Sequence, residues 1–267
     1  MRTRIPYSLL LVLFVLFSST FMLSQNQPPA SDPRAVALAT RAMAALTNGV
    51  SIKDVTLTGD VTSIAGSDTK VGMAVLLAKG ANESRVEFTF SGDTRTEVRS
   101  STNGFPLGTW AGSDGVNHYY ASQNCWTDAA WFFPALSAIS GLDPTVVLTY
   151  VGLESRNGVS VQHLQSYRYV SAKRASTTLL IQQESTIDFY LDVASFLPVS
   201  ILFNVHPDNN STVNIPVEVD FSNYQATNGA QVPRHIQQYV QGTLALDLLV
   251  TRVTLNSGLP DSAFNIQ

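Results

Sequence analysis

Chemistry in a chain of 267 residues would have to come from a short set of side chains: four histidines, one cysteine and a few closely spaced acids. His118, His163, His206 and His235 stand far apart. None is paired with a second His or a carboxylate at metal-ligand spacing, and no Gly-x-Ser-x-Gly turn presents a nucleophile, so hydrolytic and zinc chemistry lack their usual carriers. Asp188 with Asp192, and Glu218 with Asp220, are the acid pairs whose spacing on a strand would allow cation binding or proton transfer. Their alternation with apolar residues reads instead as the solvated face of a sheet. Cys125 has no partner for an intrachain disulfide and reads as a small buried hydrophobe. The chain is read as non-enzymatic, with no cofactor and no metal.

Those residues are positioned by β-structure. From Ile187 to Leu255 the sequence alternates at period two between turn signals: Ile187, Phe189 and Leu191; Val199, Ile201, Phe203 and Val205; Ile215, Val217, Val219 and Phe221. Asn228-Gly229 and Gln241-Gly242 mark the next two hairpins. Within the last strand the apolar phase shifts, from Leu244, Leu246, Leu248 and Val250 to Leu249, Val253 and Leu255, which predicts a bulge or cover on both faces. Upstream, strands are predicted around 55–61, 71–78, 84–90 and 95–99, then at 146–152 and 159–169, making about eleven in all. In the second of these Val71, Met73, Val75 and Leu77 are expected on one face, with Gly72, Ala74 and Ala78 making the other unusually small. The inner face of these first hairpins is expected to carry almost no charge.

Helices are predicted at three places. Asp32-Pro33 caps and starts the first, whose stripe of Ala35, Leu38, Ala39, Ala42, Ala45 and Leu46 ends at Asn48-Gly49. A second, short one is predicted within the aromatic run Cys125 to Ile139, with Asp128 as cap and carrying Trp131, Phe132, Ala135, Leu136 and Ile139. A third covers about 176–184. The residues between 103 and 114 are Gly-rich and read as irregular.

Composition narrows the class of function. Only 13% of residues are charged while 45% are hydrophobic, and the net charge is -4, so there is ample core and no basic footprint for nucleic acid. Arg2 and Arg4 before the apolar run Leu9 to Phe17 follow the order of a secretory signal. The expected organisation is a signal peptide over 1–24, a linker over 25–32 and a single domain over 33–267, with a periplasmic location. The alternative is a membrane anchor formed by an uncleaved N-terminus, for which the run is short.

Assembled, these features resemble the LolA/LolB-like outer-membrane lipoprotein-sorting family. The resemblance rests on Phe189-Tyr190-Leu191-Asp192 with Leu197-Pro198-Val199, on Tyr224, Gly229 and Val232-Pro233, and on the closing Leu259 to Phe264. It covers about 34–264 and implies a mainly β (α+β) fold, a half-open antiparallel β-barrel with helices plugging the concave side, where acyl chains are held. It also implies a polar residue inside the barrel that latches the lid, to which no position here is matched. The implied function is a periplasmic carrier or sensor of lipid or lipoprotein acyl chains, with envelope membrane proteins as further partners. Candidate ligand-binding residues for cavity and lid are Val75, Phe88, Phe90, Trp110, Trp126, Trp131, Phe132, Leu136 and Phe203. The alternative is an envelope interaction or structural module whose barrel is filled by its own side chains.

Overall fold

The computed structural model describes residues 29–137, 145–156 and 158–266. The expected signal peptide lies outside them. Helix α1 (Pro33–Thr47) begins where Asp32 accepts hydrogen bonds from the Arg34 and Ala35 amides, at 2.7 and 3.3 Å, and Pro33 needs no donor. It ends on left-handed Asn48, φ 46°, whose amide donates to Ala44. On its apolar side Ala35, Leu38, Ala39, Ala42 and Leu46 are buried against β-structure.

Thirteen strands form one antiparallel sheet: β1 (Asp54–Ala65), β2 (Asp68–Lys79), β3 (Glu83–Phe90), β4 (Asp93–Thr102), β5 (Phe105–Ala111), β6 (Asn117–Tyr119), β7 (Val146–Arg156), β8 (Val159–Arg168), β9 (Ile187–Asp192), β10 (Pro198–Val205), β11 (Ile215–Thr227), β12 (Ala230–Val240) and β13 (Thr243–Leu255). Helix α2 (Ala175–Glu184) connects β8 to β9. The order is β6-β5-β4-β3-β2-β1-β13-β12-β11-β10-β9-β8-β7, so two meanders are joined where the last strand returns to the first. The edges are β6 and β7, successive in the chain and unpaired, and the sheet is not closed. The two strands beyond the expected eleven are β5, inside the stretch 103–114 read as irregular, and β6, just after it. Glycine misled there: a Cβ on Gly108 would lie 2.8 Å from both the Arg99 side chain and the Tyr120 ring, so this glycine makes room for neighbours inside a strand.

The sheet is curved. Phe88 on β3 and Phe203 on β10 join one buried cluster with Phe132, although β3 and β10 are far apart in the strand order. The phase change in β13 is a bulge: Thr58 pairs with Arg252 and Gly59 with Val250, leaving Thr251 unpaired, so Leu248 and Val250 point into the core while Leu249 is exposed. Asn228 and Gly229, at φ 50° and 91°, make the expected hairpin turn.

Three expectations are corrected. On β2 the core side is Ala74, Leu76 and Ala78, whereas Val71 and Met73 are exposed and Val75 is half-buried on the opposite face. Two of the three inward residues are alanines, which leaves room for the covering elements beside Leu76, while Val71, Met73 and Val75 are left outside. On β4, Glu97 pairs across to buried Val86, so Arg95, Glu97 and Arg99 all lie on the core side. That face is charged at its rim. The aromatic run forms no α-helix among its described residues; one short 3₁₀ turn, Ser122–Asn124, precedes it and another, Pro134–Leu136, lies within it, beginning at the Pro that interrupts helical bonding. Ile139 lies outside the described residues.

Candidate functional site

The segment 121–137 leaves β6 and crosses the concave face. Phe132 and Phe133 are 0% exposed and Leu136 1%. Trp126 is buried with its ring edge-on to Phe105 at 6.2 Å, and Trp131 is half-buried, edge-on to Phe132 at 5.5 Å. Of the remaining candidates, Phe88 and Phe203 are buried on the same side, Phe90 and Trp110 are half-buried there, and Val75 is not. All the sequence candidates except Val75 are therefore brought to one face or its cover.

Arg99, not singled out by the sequence, fastens this cover. Its Nη2 donates to the carbonyls of Cys125 and Thr127, at 2.6 and 3.2 Å. Beside it the Arg95 guanidinium pairs with Glu97 at 2.6 Å and lies 4.7 Å over the Trp110 ring, which stacks on His118 at 4.2 Å. The start of the segment is tied to the residues that follow β10 by a second set of bonds. The Asn124 side chain accepts from the His206 amide and donates to the His206 carbonyl, at 2.7 and 2.8 Å, while Gln123 donates to the carbonyls of Pro207 and Asp208. Burial pushes the Cys125 thiol up, with Arg99 opposing, so it is a poor nucleophile. The sequence signal for Arg99 was its place in an Arg-x-Glu-x-Arg alternation, which reads equally as an outer face.

Between the cover and the strands lies a pocket of about 270 Å³. Trp110, Trp131, Phe203 and Val205 give it apolar walls, and Glu97, Arg99, His206 and Gln238 give it polar ones. Its walls come from β4 and β5 on one arm of the sheet and from β10 and β12 on the other. Among its lining residues, His206 is almost wholly buried.

The other candidate groups gather elsewhere. His163 on β8 is held by Glu154 at Nδ1 and by Asp188 at Nε2, at 2.6 and 2.8 Å. Burial lowers its pKa, but the two carboxylates outweigh this and raise it. Both ring nitrogens are occupied, which leaves neither as a base. His235 bonds Asp247 at 2.6 Å, and Glu218 pairs with Arg156 at 2.6 Å. Asp220 is pushed up to about 6, first by burial and then by the charge of Glu218, against Arg156. Among the described residues, no group of three or more His, Cys, Asp or Glu side chains is placed to hold a metal ion.

No family model and no curated protein matches the sequence. Solved structures do match in shape. A domain from Vibrio parahaemolyticus, bearing the name of a putative outer membrane lipoprotein-sorting protein, superposes with a TM-score of 0.55 at 14% identity, covering 87% of this chain and 96% of its own. A DUF1329-family protein from Desulfovibrio piger ATCC 29098 gives 0.55 at 11% identity, over 89% and 98% of the two chains. A LolA-superfamily protein from Nitrosomonas europaea gives 0.53 at 12%, over 87% and 97%. At such identities the likeness concerns fold. The chain thus has the LolA-like fold: a mainly β architecture of one open 13-stranded antiparallel sheet with, among the described residues, two helices.

Proposed function

We propose that the protein is a periplasmic, non-enzymatic carrier or sensor of lipid or lipoprotein acyl chains, bound on the concave face beneath the segment 121–137. The observation that carries this reading is how the cover is attached. An apolar sheet face is closed by an irregular segment fastened through side-chain hydrogen bonds of Arg99, Gln123 and Asn124 to backbone groups, outside the strand ladder. Such a cover can be displaced while the thirteen strands keep their pairing. A chain replacing it gains ~0.8 kcal/mol per buried CH₂, so the ~8 kcal/mol of micromolar affinity on top of association costs of at least ~4 kcal/mol calls for about fifteen buried carbons or more. Export by a signal within 1–24, a single domain over 33–267 and delivery to envelope membrane proteins belong to the same proposal.

A second reading is favoured by one observation: Phe132 and Phe133 are fully buried, so the interior is filled by the protein itself where they lie. On that reading the molecule is an envelope interaction or structural module. Titration of the mature protein with a fluorescent fatty acid separates the two. The carrier binds saturably with a change in tryptophan emission, and Trp131→Ala weakens binding more than it lowers stability. Absence of saturable binding in the folded wild type, with Trp131→Ala lowering only the melting temperature, establishes the module.

A further inference from the structure

Helix α2 turns its leucines to solvent. Ile181 and Glu184 are buried, but Ser176, Leu179, Leu180 and Gln183, which share a different side at helical spacing, are exposed, Leu179 by 63% and Leu180 by 39%. A helix shaped by burial alone hides its leucines and shows its polar residues. The start of the helix is as unusual. Lys173 and Arg174 are exposed and form no ion pair among the described residues, and they stand where the positive end of a helix favours acids. Arg174 is the N-cap residue, its side chain makes no cap bond, and the first turn holds no acid. From Tyr169 to Gln183 the sequence carries these two cations and no carboxylate, in a chain whose net charge is -4.

The place of the helix and the size of its apolar face say what meets it. It packs on β8 and against the turn Ser122–Asn124, where the cover of the concave face begins. Two leucines on one turn fall far short of the ~800 Å² per partner of a specific protein interface. A lipid surface asks for no matching shape: leucines enter the acyl boundary while cations meet the phosphates at head-group level. Among the described residues no helix is long and apolar enough to cross a membrane, so such contact runs along the surface. We infer that α2 docks the protein on an anionic lipid surface, with Leu179 and Leu180 inserted among the head groups and Lys173 and Arg174 against lipid phosphates. The inference rests on the acyl-carrier reading and adds the partner surface and the face that meets it. Docking there brings the first turn of the cover up to the bilayer.

The test floats the mature protein with vesicles of phosphatidylglycerol and phosphatidylcholine, and with vesicles of phosphatidylcholine alone. The wild type is expected to float with the first and not with the second, and to be released by salt. Lys173→Gln with Arg174→Gln should lower the partition coefficient by about thirtyfold, at about fivefold per charge. Leu179→Ser with Leu180→Ser should lower it by about tenfold or more, and thermal melts check that both variants are folded. An environment-sensitive dye on Leu179→Cys, in a Cys125→Ala background, should brighten and shift to the blue on the anionic vesicles. The same dye on Val71→Cys, on the outer face of β2 and 68% exposed, should not. No flotation, flotation indifferent to both pairs of substitutions, or a response at position 71 instead of 179 overturns the docking face. A response at 179 to protein concentration without vesicles makes α2 an interface between copies and overturns it too. Fatty-acid binding in vesicle-free solution decides the carrier reading separately: flotation without such binding keeps the docking face and ends the carrier.

Discussion

Arg156 at the end of β7 donates to Glu218 on β11 across 2.6 Å, although β8, β9 and β10 lie between their strands in the sheet. At ~4.8 Å per strand they would be ~19 Å apart on a flat sheet, beyond the length of an Arg side chain. The tip of the β7–β8 hairpin must therefore fold over the face opposite the main core. Val151, left unpaired where the register shifts between Tyr150 and Gly152, supplies the bend. Beneath the tip Tyr190 and Ser200 are buried, and the guanidinium lies 3.7 Å over the Tyr190 ring.

The pair holds that fold-over together, so Glu218 is not the solvated acid that strand alternation suggests. Arg156→Met is expected to destabilise by ~1–3 kcal/mol, having left the Glu218 carboxylate and the Ser200 hydroxyl without their donor. Glu218→Gln costs less, ~1 kcal/mol, and a double-mutant cycle from urea melts should show coupling of ~1 kcal/mol. Additive effects would show the contact to be idle.

Asp220, beside that pair, gives a stability effect with a defined pH sign. Its folded-state pKa, about 6, exceeds the ordinary carboxylate value because burial, then Glu218, disfavours the anion. A raised pKa means a stability contribution that is complete below about pH 4 and lost as pH rises through about 6. Asp220→Asn should therefore be more stable than wild type at about pH 7 to 8, with the advantage shrinking as the pH falls from about 6 to about 4. Chemical denaturation at four or five pH values reads this directly, and a constant difference would contradict it.

Gly229 tests the hairpin logic. The position has φ 91°, and a Cβ there would lie 3.0 Å from the Val50 side chain, so it resists any branched residue. Gly229→Val should cost ~1–3 kcal/mol in melts, while Gly229→Asn, which tolerates the left-handed region, should cost less than half of that.

Arg99 tests the attachment of the cover through Cys125, which lies within the segment it holds and is 2% exposed. Arg99→Met should raise the rate of thiol modification at Cys125 by about tenfold or more through local opening, with far-UV circular dichroism unchanged. An unaltered rate would mean that the aromatic contacts alone keep the segment down.

What the sequence disclosed, and what it hid, follows the same physics. The turns at Asn228-Gly229 and Gln241-Gly242, the cap at Asp32-Pro33 and the bulge in β13 were legible because each depends on local backbone geometry or on a change of parity within one strand. The face of β2 was not, since both parities are apolar and only the elements packed above decide that Ala74 and Leu76 go inward while Val75 does not. Arg99 and Gly108 were hidden for a related reason. A charged residue on the core side is recognisable only once the carbonyls it serves have been carried over from another part of the chain, and a glycine that shelters its side chain looks like a turn.

The long free edge at β7 carries a further consequence. The Asp32 amide donates to the Leu148 carbonyl, at 2.8 Å, and the Leu148 amide donates to the Ser31 hydroxyl, at 3.0 Å, so two residues ahead of α1 occupy the bonding groups of an edge strand whose Val151 and Leu153 are exposed. They act as a guard against sheet-to-sheet stacking of molecules. A truncation that starts at Pro33 would strip this guard and the helix cap together, and the product should aggregate on concentration, whereas one starting at Pro29 should stay monodisperse.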